Sequence, residues 1–246
     1  MSDPSSNMLI RKLESVATLD AGLRSAIEAL PIHVAELKTD TLLIREGDRP
    51  TRSCILMEGF VCWFKVSGEG KRQILSFHVP GDMPDMQSLH LSVMDTSLGT
   101  ITPCRVAFIP HRALLDLCEQ HPRISHALWR TTLIDAAVFR EWVMNIGGRP
   151  AYGRIAHLLC ELVVRLRAVG LTDGYSCDLP ITQSEIADAS GLSTVHVNRT
   201  LQDLRANRLI SLKGTYLDVL DWKGLKEAGD FDPAYLHLHD RPAGLT

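Results

Sequence analysis

The side chains best suited to chemistry cluster between Thr182 and Lys213. Thr182, Ser193, Thr194, Val195, His196, Asn198, Arg199 and Lys213 bring hydroxyl, amide, imidazole and cationic groups, with the Val195 methyls among them. Their chemistry is recognition. An Arg grips guanine O6 and N7 in a two-pronged fork, an Asn pairs with adenine, and an apolar group meets a thymine methyl. Ser193 and Thr194 at a helix start suit a phosphate, because the free N–H groups there attract an anion. His196 can also touch phosphate.

The elements that must position these groups are legible around them. Thr182-Gln183-Ser184-Glu185 has the capping-box pattern, in which the Thr caps backbone N–H groups and the Glu reaches back. It predicts a short helix with Ile186 and Ala187 on its buried face. Gly191 falls where the chain must turn, and Ser193 caps a second helix over Thr194 to Asn207. Val197, Leu201 and Leu204 share one side of that helix, which leaves Thr194, Val195, Asn198 and Arg199 facing outward. Leu209–Leu212, Lys213-Gly214 and Tyr216–Leu220 read as a hairpin. The whole predicts a helix-turn-helix followed by a two-stranded wing, whose second helix meets base edges in the major groove. The competing reading is two helices of an ordinary bundle. The small residues Ala187, Gly191 and Val197, which let two helices cross closely, speak against it.

Composition supplies limits. The chain has 246 residues, 45% hydrophobic and 22% charged, which suits a globular protein with one large core or two smaller ones. The net charge is −3, so no overall basic field advertises nucleic acid. Between Ile181 and Lys213, four basic residues (Arg199, Arg205, Arg208, Lys213) face three acidic ones (Glu185, Asp188, Asp203), a net +1. Six scattered cysteines without a C-x-x-C pair predict free thiols in a reducing compartment. The absence of a signal-like or membrane-length apolar run predicts a cytoplasmic protein with no membrane partner.

Along the chain, Leu9 to Leu30 carries apolar residues at spacings of three and four, predicting one or two helices stopped by Pro31. From about Val34 short β-type runs follow: Thr41–Ile44, Ser53–Met57, Phe60–Val66, Gln73–Phe77 and Arg105–Ile109, separated by Gly- and Pro-marked turns. A short helix from Pro110 and a long one from His121-Pro122 to about Ile146 come next. In the long helix Ile124, Leu128, Thr131, Ile134, Val138 and Trp142 form a candidate dimer seam; Ala127, Leu133, Ala137 and Met144 broaden it. A long helix apolar on more than one side must touch both its own domain and a partner. Gly147-Gly148-Arg149-Pro150 is expected to break it and act as a hinge before a helix over Tyr152–Leu171. After Asp221 a short helix over Trp222–Ala228 is expected; in Tyr235-Leu236-His237-Leu238-His239 the histidines alternate with Leu, which fits a strand face as well as a ligand pair, and the tail has no functional reading.

The Glu46-Gly47-Asp48 turn, Ile55-x-x-x-Gly59 leading into Val61, and Phe77-x-x-x-Gly81-Asp82 resemble a cyclic-nucleotide-binding β-roll. With the long helix and the helix-turn-helix behind it, the chain resembles the Crp/Fnr family of bacterial transcription regulators over about residues 20 to 220. The resemblance implies an α+β architecture: a β-roll sensor with N-terminal helices (1–120), a dimerisation helix (121–147), a winged helix-turn-helix (148–221) and a C-terminal tail (222–246). It implies a homodimer on double-stranded DNA, with half-sites about 34 Å apart on a pseudo-palindrome. RNA polymerase and an unknown small-molecule effector are further implied partners.

The resemblance also assigns residues. Arg199 matches the Arg that closes the family's base-reading set. The Glu often found near Thr194 and Val195 is missing, so a different target is expected. Cyclic-AMP binders carry a Glu and an Arg after the strand ending in Gly-Asp; here Gly81–Leu89 holds neither, and the Arg position falls near Met94. A phosphodiester would lose its charge-assisted partner, so cyclic AMP is not expected to bind in the usual mode. Gln87, Thr96 and Ser97 are the candidate contacts for another ligand, beside a degenerate pocket that binds nothing. No cysteine precedes Cys54, which excludes an Fnr-type iron–sulfur cluster, and no other cofactor or metal is implied. Cys177 is either a redox switch or an idle thiol. Two functions compete: a sequence-specific DNA-binding regulator, and a ligand- or redox-sensing module acting mainly through protein contacts with weak DNA binding. An enzyme is not expected, since no nucleophile–base pair, phosphate loop or metal-ligand spacing occurs.

Overall fold

A computed structural model of the chain describes residues 4–15 and 17–238, so Val16 of the first helical region and His239 of the tail lie outside the described residues. The chain forms two compact units.

The first unit holds residues up to Trp63 and Phe77–Ala136. Helices α1 (Pro4–Glu14) and α2 (Ala21–Glu28) come first, and Asp20 caps α2 by accepting from Leu23 N at 2.9 Å. Strands β1 (His33–Leu37), β7 (Cys104–Pro110) and β3 (Arg52–Glu58) make one antiparallel sheet in the order β1-β7-β3. β2 (Leu42–Ile44), β6 (Ser97–Thr100), β4 (Val61–Val66) and β5 (Arg72–His78) make a second, in the order β2-β6-β4-β5. The outer part of the β4–β5 hairpin, Phe64–Ser76, groups with the second unit. Leu13, Ile27, Ile55, Ile109, Leu114 and Ile124 join α1, α2, the first sheet, α3 (His111–Gln120) and the start of α4 (Pro122–Gly148) in one core. Each such side chain contributes about 1.5–3 kcal/mol on burial.

The second unit also holds Ala137–Leu236. It contains α5 (Ala151–Ala168), α6 (Gln183–Ser190), α7 (Thr194–Ala206), α8 (Trp222–Ala228) and a sheet ordered β8-β10-β9. Its strands are β8 (Ser176–Asp178), β9 (Ile210–Lys213) and β10 (Tyr216–Val219). The wing is therefore three-stranded rather than two. β8 is too short to show a period in sequence, and it is held by pairing with Tyr216–Asp218.

Two further expectations are corrected. α4 runs through Gly147 and Gly148, and the break falls at Arg149-Pro150, with Pro150 extended at φ −66°, ψ 161°. A glycine costs a helix only about 1 kcal/mol, whereas proline lacks the N–H and pushes the preceding residue out of helical geometry. The predicted dimer seam is also turned inward. Ile124, Leu128, Thr131, Val138 and Trp142 are all buried, at 0–7% exposure, and Ile134 packs against the first unit's core. The β-sheet core must be covered, and this stripe of α4 covers it; farther along, Val138 and Trp142 do the same for the second unit. The opposite side of α4 presents Trp129, Leu133, Phe139, Val143 and Met144, all exposed.

Candidate nucleic-acid interface

The capping box at α6 forms as the sequence predicts. Glu185 N donates to Thr182 Oγ1 at 3.2 Å, and Glu185 Oε2 accepts from Thr182 N at 2.6 Å and from the Thr182 hydroxyl at 2.8 Å. Both Thr182 groups are thus engaged in starting the helix. Gly191 ends it at φ 64°, a left-handed conformation that costs a residue with a Cβ strain. Arg154 of α5 donates to the Ser190 carbonyl at 3.1 Å, tying the end of α6 to the scaffold. In the same unit, Arg72 Nε donates to Asp188 of α6 at 2.7 Å.

Helix α7 divides sharply between its two sides. Val197, Leu201 and Leu204 are at most 1% exposed. Ser193 caps the start, its Oγ accepting from His196 N at 3.2 Å; among the described residues its hydroxyl donates to no partner. Thr194, Val195 and Arg199 point outward, Val195 at 78% exposure. Arg199 makes no ion pair or hydrogen bond among the described residues, so its fork is free for a partner. His196 and Asn198 are half-buried. Asn198 is not free: its Nδ2 donates to Gln183 Oε1 at 3.1 Å, and its Oδ1 accepts from Gln202 at 3.0 Å. For Asn198 to read adenine this ladder must open. Gln183 and Gln202 therefore belong to the candidate surface, and sequence reasoning missed them. For Gln202 the signal was present, because it stands four residues after Asn198 on one helix face; Gln183 belongs to α6 and gave none. Lys213 lies exposed at the end of β9, opposite Tyr216 across the Gly214 turn.

The β-roll interior is built differently. Met86 and Met94, in the segment where a nucleotide's ribose and phosphate anchors would stand, are buried at 4% and 1% exposure. Trp63 is 2% exposed, and its indole donates to the Pro84 carbonyl at 2.9 Å, against that same segment. Of the predicted ligand residues, Ser97 uses its Oγ to accept from Glu46 N at 3.0 Å; Gln87 and Thr96 are half-buried. Cys177 is 2% exposed and its thiol is pushed up to about 11 by burial and by Asp178, which makes it a poor thiolate.

The tail is docked on α5. His157 Nδ1 lies 3.1 Å from the Gly229 carbonyl, and its ring stacks on Tyr235. Tyr235 donates to the fully buried Glu161 at 2.7 Å, as do Trp142 Nε1 at 3.1 Å and Arg165 at 3.2 Å. Burial and the neighbouring Arg149 lower the His157 pKa. Gly229 is required here, since a Cβ would meet His157 N at 2.6 Å.

A helix-turn-helix with a free cationic fork, and a β-roll ahead of it, have known counterparts. Residues 153–228 match the Crp-like helix-turn-helix domain, and residues 34–121 match the cyclic nucleotide-binding domain. The chain belongs to the Crp/Fnr family of transcription regulators. It is 27% identical over 218 residues to the nitrogen fixation regulation protein FixK of Bradyrhizobium diazoefficiens, covering 88% of this chain and 90% of that one. It is 26% identical over 185 residues to the transcriptional activator protein Anr of Pseudomonas aeruginosa, 75% of each. The fold of FixK2 from Bradyrhizobium japonicum overlays with a TM-score of 0.74 at 21% identity, covering 81% of this chain and 98% of that one. As a Crp/Fnr protein, the chain carries its DNA-binding function in the matched helix-turn-helix. No helix among the described residues is long and apolar enough to cross a membrane.

Proposed function

We propose that this Crp/Fnr regulator works in the cytoplasm as a homodimer on pseudo-palindromic DNA, reading bases through Arg199, Val195, Thr194 and, once its ladder opens, Asn198. The observation that carries the reading is the free Arg199 fork beside the exposed Val195 methyls at the start of a helix whose inner side is fully engaged. Ser193, His196 and Lys213 supply phosphate contacts, and Thr182 contributes through the α6 start it caps. The second copy packs on the exposed side of α4, at Trp129, Leu133, Phe139, Val143 and Met144, apolar side chains that the described residues leave exposed. The sensor does not take cyclic AMP in the usual mode, in keeping with the buried methionines at 86 and 94. RNA polymerase as a further partner rests on the family alone.

The test is selection of bound duplexes from a random pool, followed by mobility-shift titration. Arg199→Ala should cost about 1–3 kcal/mol at one base pair per half-site, and binding should weaken steeply with salt. Unchanged sequence preference in the variant, or salt-insensitive binding, sinks the reading. For the dimer, Leu133→Glu with Val143→Glu should shift the sedimenting species to monomer, since a charge buried in an apolar interface costs several kcal/mol. A variant that stays dimeric moves the interface elsewhere.

A further inference from the structure

The first unit contains a cavity of about 270 Å³ between the turn after β2, the strand β3 and Asp85. Asp48, Arg49, Arg52, Cys54, Asp85 and Phe108 are among its walls. Met86, Met94, Gln87, Thr96 and Ser97 are not among them; the cavity adjoins the segment that the nucleotide-binding resemblance singles out, sharing Asp85 with it.

The charges around it are unbalanced. Arg49 is exposed and makes no ion pair or hydrogen bond among the described residues. The Arg52 guanidinium lies over the Phe108 ring, 3.9 Å from its centre, a position that steadies the side chain without neutralising it. Asp48, whose carboxylate accepts the Arg45 N–H at 2.7 Å, sets one negative charge against these two positive ones. Deeper, Asp85 is 1% exposed; its carboxyl accepts from Cys54 N at 2.9 Å and is also bonded by the Cys54 thiol and its own backbone N–H. No ion pair to Asp85 occurs among the described residues, and burial raises its carboxyl to about 7. A carboxyl in this state holds its proton over part of the neutral range and is then an O–H donor.

Two guanidiniums against the Asp48 carboxylate, with a protonatable acid below them, leave an excess of positive charge around one cavity, complementary to an oxyanion. Guanidinium forks match carboxylate and phosphate geometry, and the acid at the floor adds a donor. The volume corresponds to about nine waters at roughly 30 Å³ each, room for a molecule of small-metabolite size.

We propose that the first unit binds a small oxyanion, a carboxylate or a phosphate, in the cavity walled by Arg49, Arg52 and Asp85. This does not rest on how α7 reads DNA, and a negative result would leave that reading intact.

The experiment is isothermal titration of the full chain with sodium succinate and, separately, sodium phosphate, at constant ionic strength near pH 6.5. One of the two should saturate with one site per chain and a Kd of about 1 mM or tighter. Succinate binding alone identifies a carboxylate ligand, and phosphate binding alone a phosphate. Arg49→Ala should weaken binding about tenfold, and Arg49→Ala with Arg52→Ala should abolish it. Arg49 is exposed and makes no ion pair or hydrogen bond among the described residues, so the single variant keeps the fold, which a melting curve checks. Absence of saturable binding by either probe up to about 10 mM overturns the proposal, as does an Arg49→Ala protein that binds like the parent.

Discussion

The β-roll interior, where the family resemblance looks for a ligand, and the outward side of α7, where we propose that bases are read, are built in opposite ways. In the interior, Trp63, Met86 and Met94 close the ground, and the one indole N–H has a carbonyl partner. On α7, Val195 and Arg199 stand exposed, with no hydrogen bond or ion pair from Arg199 among the described residues, while Val197, Leu201 and Leu204 hold the helix from behind. The difference teaches where each function can drift. A buried site that loses its polar anchors is refilled by apolar side chains, because an empty or unpaired interior is costly. An exposed site separates packing from reading on two sides of one helix, so its reading residues change without disturbing the fold.

The strongest way to break this comparison is Trp63→Ala. If Trp63 fills the interior, truncation should cost about 3–5 kcal/mol of stability, read as a lower urea midpoint. A loss under about 1 kcal/mol would mean the interior is not packed around it.

Asp85 comes next. Burial raises its carboxyl to about 7, so the folded chain holds a proton that the unfolded chain releases near the ordinary Asp range. This contribution is fully present below about pH 4 and is lost as pH rises through about 7, by at most about 1.4 kcal/mol per pH unit. Asp85→Asn keeps an acceptor for Cys54 N and cannot ionise, so its urea midpoint should fall less than the parent's between about pH 5 and pH 8. Parallel curves would show that Asp85 does not carry the slope.

The smallest effects sharpen the α7 side. Ser193→Ala should cost about 1 kcal/mol of stability through the lost cap and weaken DNA binding as well. Val195→Ala should change stability by less than about 0.5 kcal/mol and alter only base preference. If Val195→Ala destabilises the chain as much as Ser193→Ala does, the outward side of α7 is not separate from its packing.

Much of this was legible in the chain. The capping box at Thr182–Glu185, the turn at Gly191, the Ser193 cap and the buried Val197-Leu201-Leu204 side are local signals, and all form. β6 and β8 were not legible, since Ser97–Thr100 and Ser176–Asp178 carry no β-branched or aromatic run and are held by pairing with β2 and β10, partners far away in sequence. The Gln183–Asn198–Gln202 ladder joins residues of two helices, which spacing in one helix does not display. The docking of the tail through Tyr235 and His157 joins residues 78 apart, beyond any local pattern.

The sequence by itself determined which residues of α4 share a side, because 3.6 residues per turn fixes that. It marked Ile124, Leu128, Thr131, Ile134, Val138 and Trp142 as one stripe, and they are one stripe. Only the tertiary structure decided which stripe faces inward. A helix apolar on two sides is equally amphipathic either way round; the cores of the two units took the Ile124–Trp142 side and left Trp129, Leu133 and Val143 in solvent.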